Sequence, residues 1–300
     1  MNMREAGDAR VGDPKDIFAA YSFCRKVSSF ECGRPPGIRR LVPRRLRPHV
    51  DAVCAFARLA AAFASAPEFE AERAQRLRTW RGWLQAVARD EAAASSGDLH
   101  PVFLALARTM RECDLPPVLF EDILDAHLQD VGRKGYATFD ELKDYCRRCA
   151  NPVGRLLLMI LGYRDEESGR CSDALCTAWR LSASLRDISL DLKRDHIYIP
   201  GEDFQAQGYA EADLRMGVCN ERFRELMKAQ ASRARALFEE ARPLPAQLRW
   251  PLSWAARLTW YGGREILRQI RKSGFDTISR RPRLSRWDWL PLMLRTVLKP

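Results

Sequence analysis

Three hundred residues, 46% hydrophobic and 30% charged, can bury a sizeable core and describe a soluble globular protein of one large domain or two small ones. A net charge of +11 and a pI near 9.4 point to an anionic partner, whether a diphosphate, an acidic membrane surface or a nucleic acid. No stretch of roughly 18 uncharged apolar residues and no signal-like amino terminus occur, and the nine scattered cysteines suit a reducing compartment, so a cytoplasmic protein is expected.

The first 15 residues are polar and read as a flexible leader to a domain over 16–279. Gly33 to Gly37 forms a loop, and Pro43 and Pro48 bracket the start of a helix running to about Ser65. Glu68 to Ala92 reads as an amphipathic helix broken by Ser95-Ser96-Gly97-Asp98. Pro101 suits an early helical position, and Pro116-Pro117 opens the next helix. Thr138 and Glu141 stand at capping-box spacing ahead of a helix carrying Leu142, Tyr145 and Cys149. Leu156 to Leu161 is an apolar run of buried character. A helix is predicted to begin near Ser172 and to carry Asp187 and Asp191, and two more are predicted over about 219–241 and 244–272. Residues 280–300 form a basic, tryptophan-bearing tail. No β pattern and no repeat is evident, so the expected class is all-α, in a single domain.

Chemistry concentrates in one place. Asp187 and Asp191 are four residues apart, a spacing that puts both carboxylates on one helical face, where they could hold one cation. Upstream, Phe56 to Ser65 has the same helical cadence and no acid at all. Cys146 and Cys149 form the only CxxC; with no second pair at zinc spacing they read as buried helical cysteines. The four histidines show no ligand spacing.

Four stretches in order resemble the squalene/phytoene synthases, the head-to-head prenyl synthases. They are Val42 to Pro48 with Cys54 to Arg58; Tyr136, Glu141-Leu142 and Tyr145 to Gly154; Arg186-Asp187 and Asp191 with Ile197-Tyr198-Ile199-Pro200; and Tyr261 to Leu284. The bacterial hopanoid-pathway branch, which resembles squalene synthase, is the nearest in flavour. The resemblance implies an isoprenoid synthase-type helical fold. It also implies Mg2+ held by two aspartate motifs on facing helices, and a prenyl diphosphate substrate, farnesyl or presqualene diphosphate. On that reading the product is hydroxysqualene or squalene, with NADPH use left open. By the same resemblance Asp187 and Asp191 are the metal ligands, Arg58, Arg186 and Arg148 bind diphosphate, and Tyr145 and Asp130 are catalytic.

The first aspartate motif falls on Ala61, Ala62 and Ser65, so its three carboxylates are gone. Glu68, Glu70 and Glu72 lie beyond Pro67, which should interrupt the helix, and are not expected to replace them. Leu190 and Gly135 stand where the family has an acid and an arginine, and His196 also replaces an arginine. Arginine could supply part of the missing positive charge, because its planar fork grips phosphate; Arg58, Arg148, Arg180 and Arg186 are candidates. Two readings stay open: a prenyl-diphosphate enzyme of triterpenoid biosynthesis, or an impaired relative that partners an intact prenyl synthase. A peripheral contact of the tail with the inner face of the membrane is a further expectation. Nucleic acid is not expected as a partner, since no recognition motif accompanies the charge.

Overall fold

A computed structural model describes residues 2–8, 17–28, 38–89 and 99–298. The helices are α1 (Met3–Gly7), α2 (Ile17–Ser28), α3 (Arg47–Ser65), α4 (Arg73–Ala88), α5 (Pro101–Cys113), α6 (Pro117–Gly132), α7 (Phe139–Cys149) and α8 (Asn151–Ile160). They continue as α9 (Glu166–Arg186), α10 (Ile188–Leu192), α11 (Gly201–Ala206), α12 (Glu211–Arg215), α13 (Glu221–Glu240), α14 (Leu244–Gln247), α15 (Leu252–Lys272) and α16 (Arg286–Leu298). No strand occurs among the described residues, and the all-α expectation is met. The chain forms two compact units, the first of 1–32, 42–132 and 152–165 and the second of 33–41, 133–151 and 166–300.

The first unit is built around α3. Twelve of its residues are buried, from His49 to Phe63. An aromatic cluster fills the space between helices: Phe56 meets Trp80 at 5.2 Å, Phe120 at 5.3 Å and Phe103 at 5.9 Å between ring centroids. The pairs with Phe120 and Phe103 are edge-to-face, an arrangement that adds to the large apolar area such rings bury. Two expectations are corrected here. The supposedly flexible start contains α1, whose capping box joins Asn2 and Glu5 and whose Ala6 is buried. The helix read over Glu68 to Ala92 starts later, at Arg73, after a 3-10 turn at Pro67–Phe69. Proline lacks the N–H that α3 would need to continue. Helix α2 was not anticipated, although Ala20, Cys24 and Val27 lie at helical spacing and are buried. The expected break at Ser95 to Asp98 lies outside the described residues.

The second unit packs α9 against α13 and α15. Two glycines let α15 approach closely. A Cβ on Gly262 would stand 2.5 Å from Cη2 of Trp289, and one on Gly263 would collide with the Phe238 ring. The helix expected over 244–272 is two, α14 and α15, separated around Pro251. Helix α9 begins at Glu166, six residues before Ser172. The supposed tail contains α16, whose Trp289 and Leu292 are buried with Leu258 of α15. Cys146 and Cys149 are free thiols on α7.

Candidate functional site

The second unit gathers most of the residues singled out from the sequence. Helix α9 ends at Arg186, and Asp187 caps α10 with φ −101° and ψ 14°, so the two acids flank a break and do not share one regular helix. The hydrogen-bond ladder nevertheless carries through, from Asp187 N–H to the Ala183 carbonyl at 2.9 Å and from Asp191 N–H to the Asp187 carbonyl at 3.0 Å. The one-turn offset of the two carboxylates is thereby kept.

Asp187 is clamped by arginines. Arg186 donates from Nε at 2.9 Å and from Nη2 at 2.6 Å, a two-pronged grip on the carboxylate of its own neighbour. Arg281 donates from Nε at 2.7 Å across 94 residues of chain. Burial works to raise the carboxyl pKa, but the bonds from Arg186 and Arg281 outweigh it and hold the group below the usual carboxylate range. Asp191 behaves oppositely. Burial pushes its pKa up to about 6, Arg180 opposes the rise, and the charge of Asp187 adds to it. Arg194 approaches Asp191 at 3.8 Å.

Beside the acids lies a ring cluster. Tyr145 stacks on Tyr198 at 5.7 Å between centroids, Tyr136 lies 5.4 Å from Tyr145, and His196 lies 4.4 Å from Tyr198. The Arg180 guanidinium stands 4.2 Å over the Tyr198 ring and donates to the Tyr145 hydroxyl at 3.4 Å and to the Ser184 hydroxyl at 2.9 Å. The backbone builds this cluster. Ile197 N–H bonds to the Lys134 carbonyl at 2.9 Å and Gly201 N–H to the Tyr136 carbonyl at 2.8 Å, so the segment after α10 runs alongside the segment before α7.

The donor set decides which ion suits this place. Mg2+ takes an octahedron of oxygens and is usually held by carboxylates. Here Arg180, Arg186, Arg194 and Arg281 surround two carboxylates, one of which is already engaged by two guanidiniums. No group of three or more potential metal ligands occurs among the described residues. The α3 positions that resemblance assigns to the first motif supply no carboxylate. Ala61 and Ala62 have no donor, and the Ser65 hydroxyl donates to the Ala61 carbonyl at 2.8 Å within α3. Glu72 bonds to Arg76 at 2.8 Å. The residues around Asp187 therefore fit an oxyanion with several negative oxygens and do not fit a magnesium cluster.

The sequence model of the family named squalene/phytoene synthase matches residues 38–288. This chain belongs to the squalene/phytoene synthase family. Its relatives include a phytoene synthase from Arthrospira platensis, 29% identical over 294 residues, with 89% of each chain covered. A 15-cis-phytoene synthase from Synechocystis is 29% identical and spans 87% of this chain and 80% of that protein. Among solved structures, squalene synthase HpnC from Alicyclobacillus acidocaldarius is 31% identical, with a TM-score of 0.78, covering 92% of this chain and 99% of that one. A dehydrosqualene synthase solved with a ligand, 22% identical, has a TM-score of 0.82 over 95% of this chain and 98% of that one, and so shares the fold. Family members are prenyltransferases that act on prenyl diphosphates and use Mg2+ through aspartate motifs.

Within the family frame, the structure gathers Tyr145, Arg186, Asp187 and Asp191, together with Arg180, in one unit. Arg148 is held by Asp144, with Nη2 to Oδ2 at 2.8 Å, a pair one helical turn apart. Arg58 and Asp130 belong to the other unit, on α3 and α6, and both are half-buried. Arg281 lies inside the family-like stretch Tyr261 to Leu284 but was not anticipated as a partner of Asp187. Tyr136 and Tyr198 were likewise not anticipated as ring partners of Tyr145. No local pattern signals a contact across 94 residues.

No helix of the described residues is long and apolar enough to cross a membrane.

Proposed function

We propose that this chain takes one prenyl diphosphate, presqualene diphosphate, and replaces its diphosphate with the hydroxyl of water, giving hydroxysqualene. The carrying observation is the excess of guanidinium over carboxylate around Asp187 and Asp191. Joining two prenyl diphosphates requires ionising one while holding the other. Processing the joined C30 diphosphate requires ionising only one. A chain with charged groups at one motif and Ala61, Ala62 and Ser65 at the other matches the second task. The likeness to a squalene synthase at 31% identity supports the same branch of chemistry.

In this reading the carbon–oxygen bond breaks and both electrons leave with the diphosphate. Arg180, Arg186, Arg194 and Arg281 take up the charge that grows on its oxygens, acting as fixed donors that need no reorganisation. Asp187 is a positioning residue that orients Arg186 and Arg281. The carbocation left behind opens its three-membered ring beside the faces of Tyr136, Tyr145 and Tyr198. Water forms the new carbon–oxygen bond and its extra proton goes to the released diphosphate. Substrate and water thus equal hydroxysqualene and diphosphate, with no change in oxidation state.

The test is incubation of the full chain with presqualene diphosphate, with and without EDTA, and with and without NADPH. Product analysis should find hydroxysqualene, retained within about tenfold in EDTA, and lost by 100-fold or more in Arg186→Ala/Arg281→Ala. Squalene formed only with NADPH would move the product but keep the substrate. Condensation of farnesyl diphosphate would overturn the single-diphosphate reading. Failure to consume either diphosphate, with co-purification of an intact prenyl synthase, would support the assembly-partner reading that the loss at Ala61, Ala62 and Ser65 also favours.

A further inference from the structure

A second charged surface lies within the same unit and shares no residue with the cluster around Asp187. Helices α13, α14, α15 and α16 enclose an open groove of about 970 Å3. Eight arginine and lysine side chains line it, against two glutamates. Glu239 is taken by Arg264 at 2.5 Å and Glu265 by Arg268, whose Nε lies 2.6 Å away. Arg235, Arg242, Arg271 and Arg295 have no salt-bridge partner among the described residues and are exposed. Trp260 and Tyr261 form part of the groove wall.

Helix α16 presents two faces. Trp289, Leu292 and Thr296 are buried. On the opposite side Trp287 is 81% exposed, Leu290 55% and Leu294 57%. These three, with the exposed Pro291, occupy positions i, i+3, i+4 and i+7, one continuous stripe of a helix. Arg295 follows Leu294 directly, about 100° round the helix, and lines the groove. An outward apolar stripe carrying a tryptophan therefore borders a cationic groove.

We propose that this face docks on a membrane of anionic phospholipids, with Trp287, Leu290 and Leu294 entering the boundary between headgroups and acyl chains and the groove taking lipid phosphates. Charge complementarity selects the occupant: unanswered guanidiniums call for phosphate, and a Trp/Leu stripe beside them calls for an apolar layer at the same surface. A nucleic acid would satisfy the groove but would leave the stripe in water. The proposal rests on the surface and not on the identity of the substrate, so it stands or falls apart from the proposed function.

Co-sedimentation of the full chain with vesicles tests it, using phosphatidylcholine alone and with 40% phosphatidylglycerol. We expect at least tenfold tighter binding to the anionic vesicles, weakened by 0.5 M salt. Arg235→Gln/Arg242→Gln/Arg271→Gln should weaken it about 100-fold, since each cation near such a surface contributes roughly fivefold. Trp287→Ser/Leu290→Ser/Leu294→Ser should abolish both binding and the blue shift of tryptophan fluorescence on adding vesicles. Thermal melts identify variants that fail to fold, and for these the single Leu294→Ser and Arg235→Gln replace the triples. Equal binding to neutral vesicles, no binding at all, or vesicle binding that survives both sets would overturn the proposal. So would tight binding of a 30-mer oligonucleotide that survives the stripe substitutions in a chain that ignores vesicles.

Discussion

Helix α3 and the α9–α10 pair carry the two stretches that resemblance assigns to the family's aspartate motifs, and the two differ. On α3 the motif positions are Ala61, Ala62 and Ser65, on a helix whose other residues are largely buried among Phe56, Phe63 and Trp80. On α9 and α10 the acids remain, but Asp187 answers Arg186 and Arg281, while Asp191 is pushed toward its neutral form by burial. The difference teaches that a carboxylate's charge state is set by its burial and its partners as much as by its place in the chain. A carboxylate is defined by what surrounds it, and two guanidiniums at 2.6–2.9 Å turn it into a scaffold for cations.

The largest effect is expected at Asp187. Asp187→Ala removes the carboxylate that Arg186 and Arg281 share, in a site where all three side chains are less than a third exposed. It should destabilise the protein by about 3 kcal/mol, read as a fall of several degrees in the thermal midpoint. The sign with pH follows from the depressed pKa: this contribution is present above the unfolded carboxylate value and is lost as pH falls through the folded one. An unchanged midpoint at pH 7 would mean the clamp contributes nothing.

Asp191 should respond in the opposite sense. Its folded pKa, about 6, lies above the ordinary aspartate value of 3.8, so its contribution is fully present in acid and is lost as pH rises through about 6. Asp191→Asn, which cannot ionise, should gain about 2 kcal/mol over the parent at pH 8 and match it at pH 3.5. Melting curves across that range check this, and a loss of stability at pH 8 would show that the ionised form is the one the fold prefers.

The smallest effect is sought on α3. Restoring the motif as Ala61→Asp/Ala62→Asp/Ser65→Asp places one carboxylate at a position only 9% exposed and should cost about 1–2 kcal/mol without metal. Added Mg2+ should raise the melting temperature of this triple variant and leave that of the parent unchanged. A magnesium-dependent rise in the parent would contradict the donor set described around Asp187.

Much of the fold was legible in the sequence. Helical spacing and proline punctuation located α3, α5, α6, α7 and α13, because a buried stripe and an N-terminal cap are local signals. Boundaries slipped where the signal was ambiguous. The helix after Pro67 starts only at Arg73, and Pro251 caps the start of α15 where one continuous helix over 244–272 was expected. Residues 280–300 looked like a tail because charges and Pro291 mask the period, yet Trp289 and Leu292 give α16 a buried face. The short helices α11 and α12 carry too few residues to show a period.

The site was legible in composition and illegible in pairing. Four separated motifs identified the family, and the absence of acids at Ala61, Ala62 and Ser65 is a fact of the chain alone. Sequence spacing also put Asp187 and Asp191 one turn apart. It could not show that the helix breaks at Asp187, that Arg281 returns across 94 residues to bond it, or that Tyr136 and Tyr198 gather on Tyr145. The local periodicity of a helix is written in neighbouring residues. The charge state of a carboxylate depends on burial and on partners brought from far along the chain, and only the tertiary structure decides those.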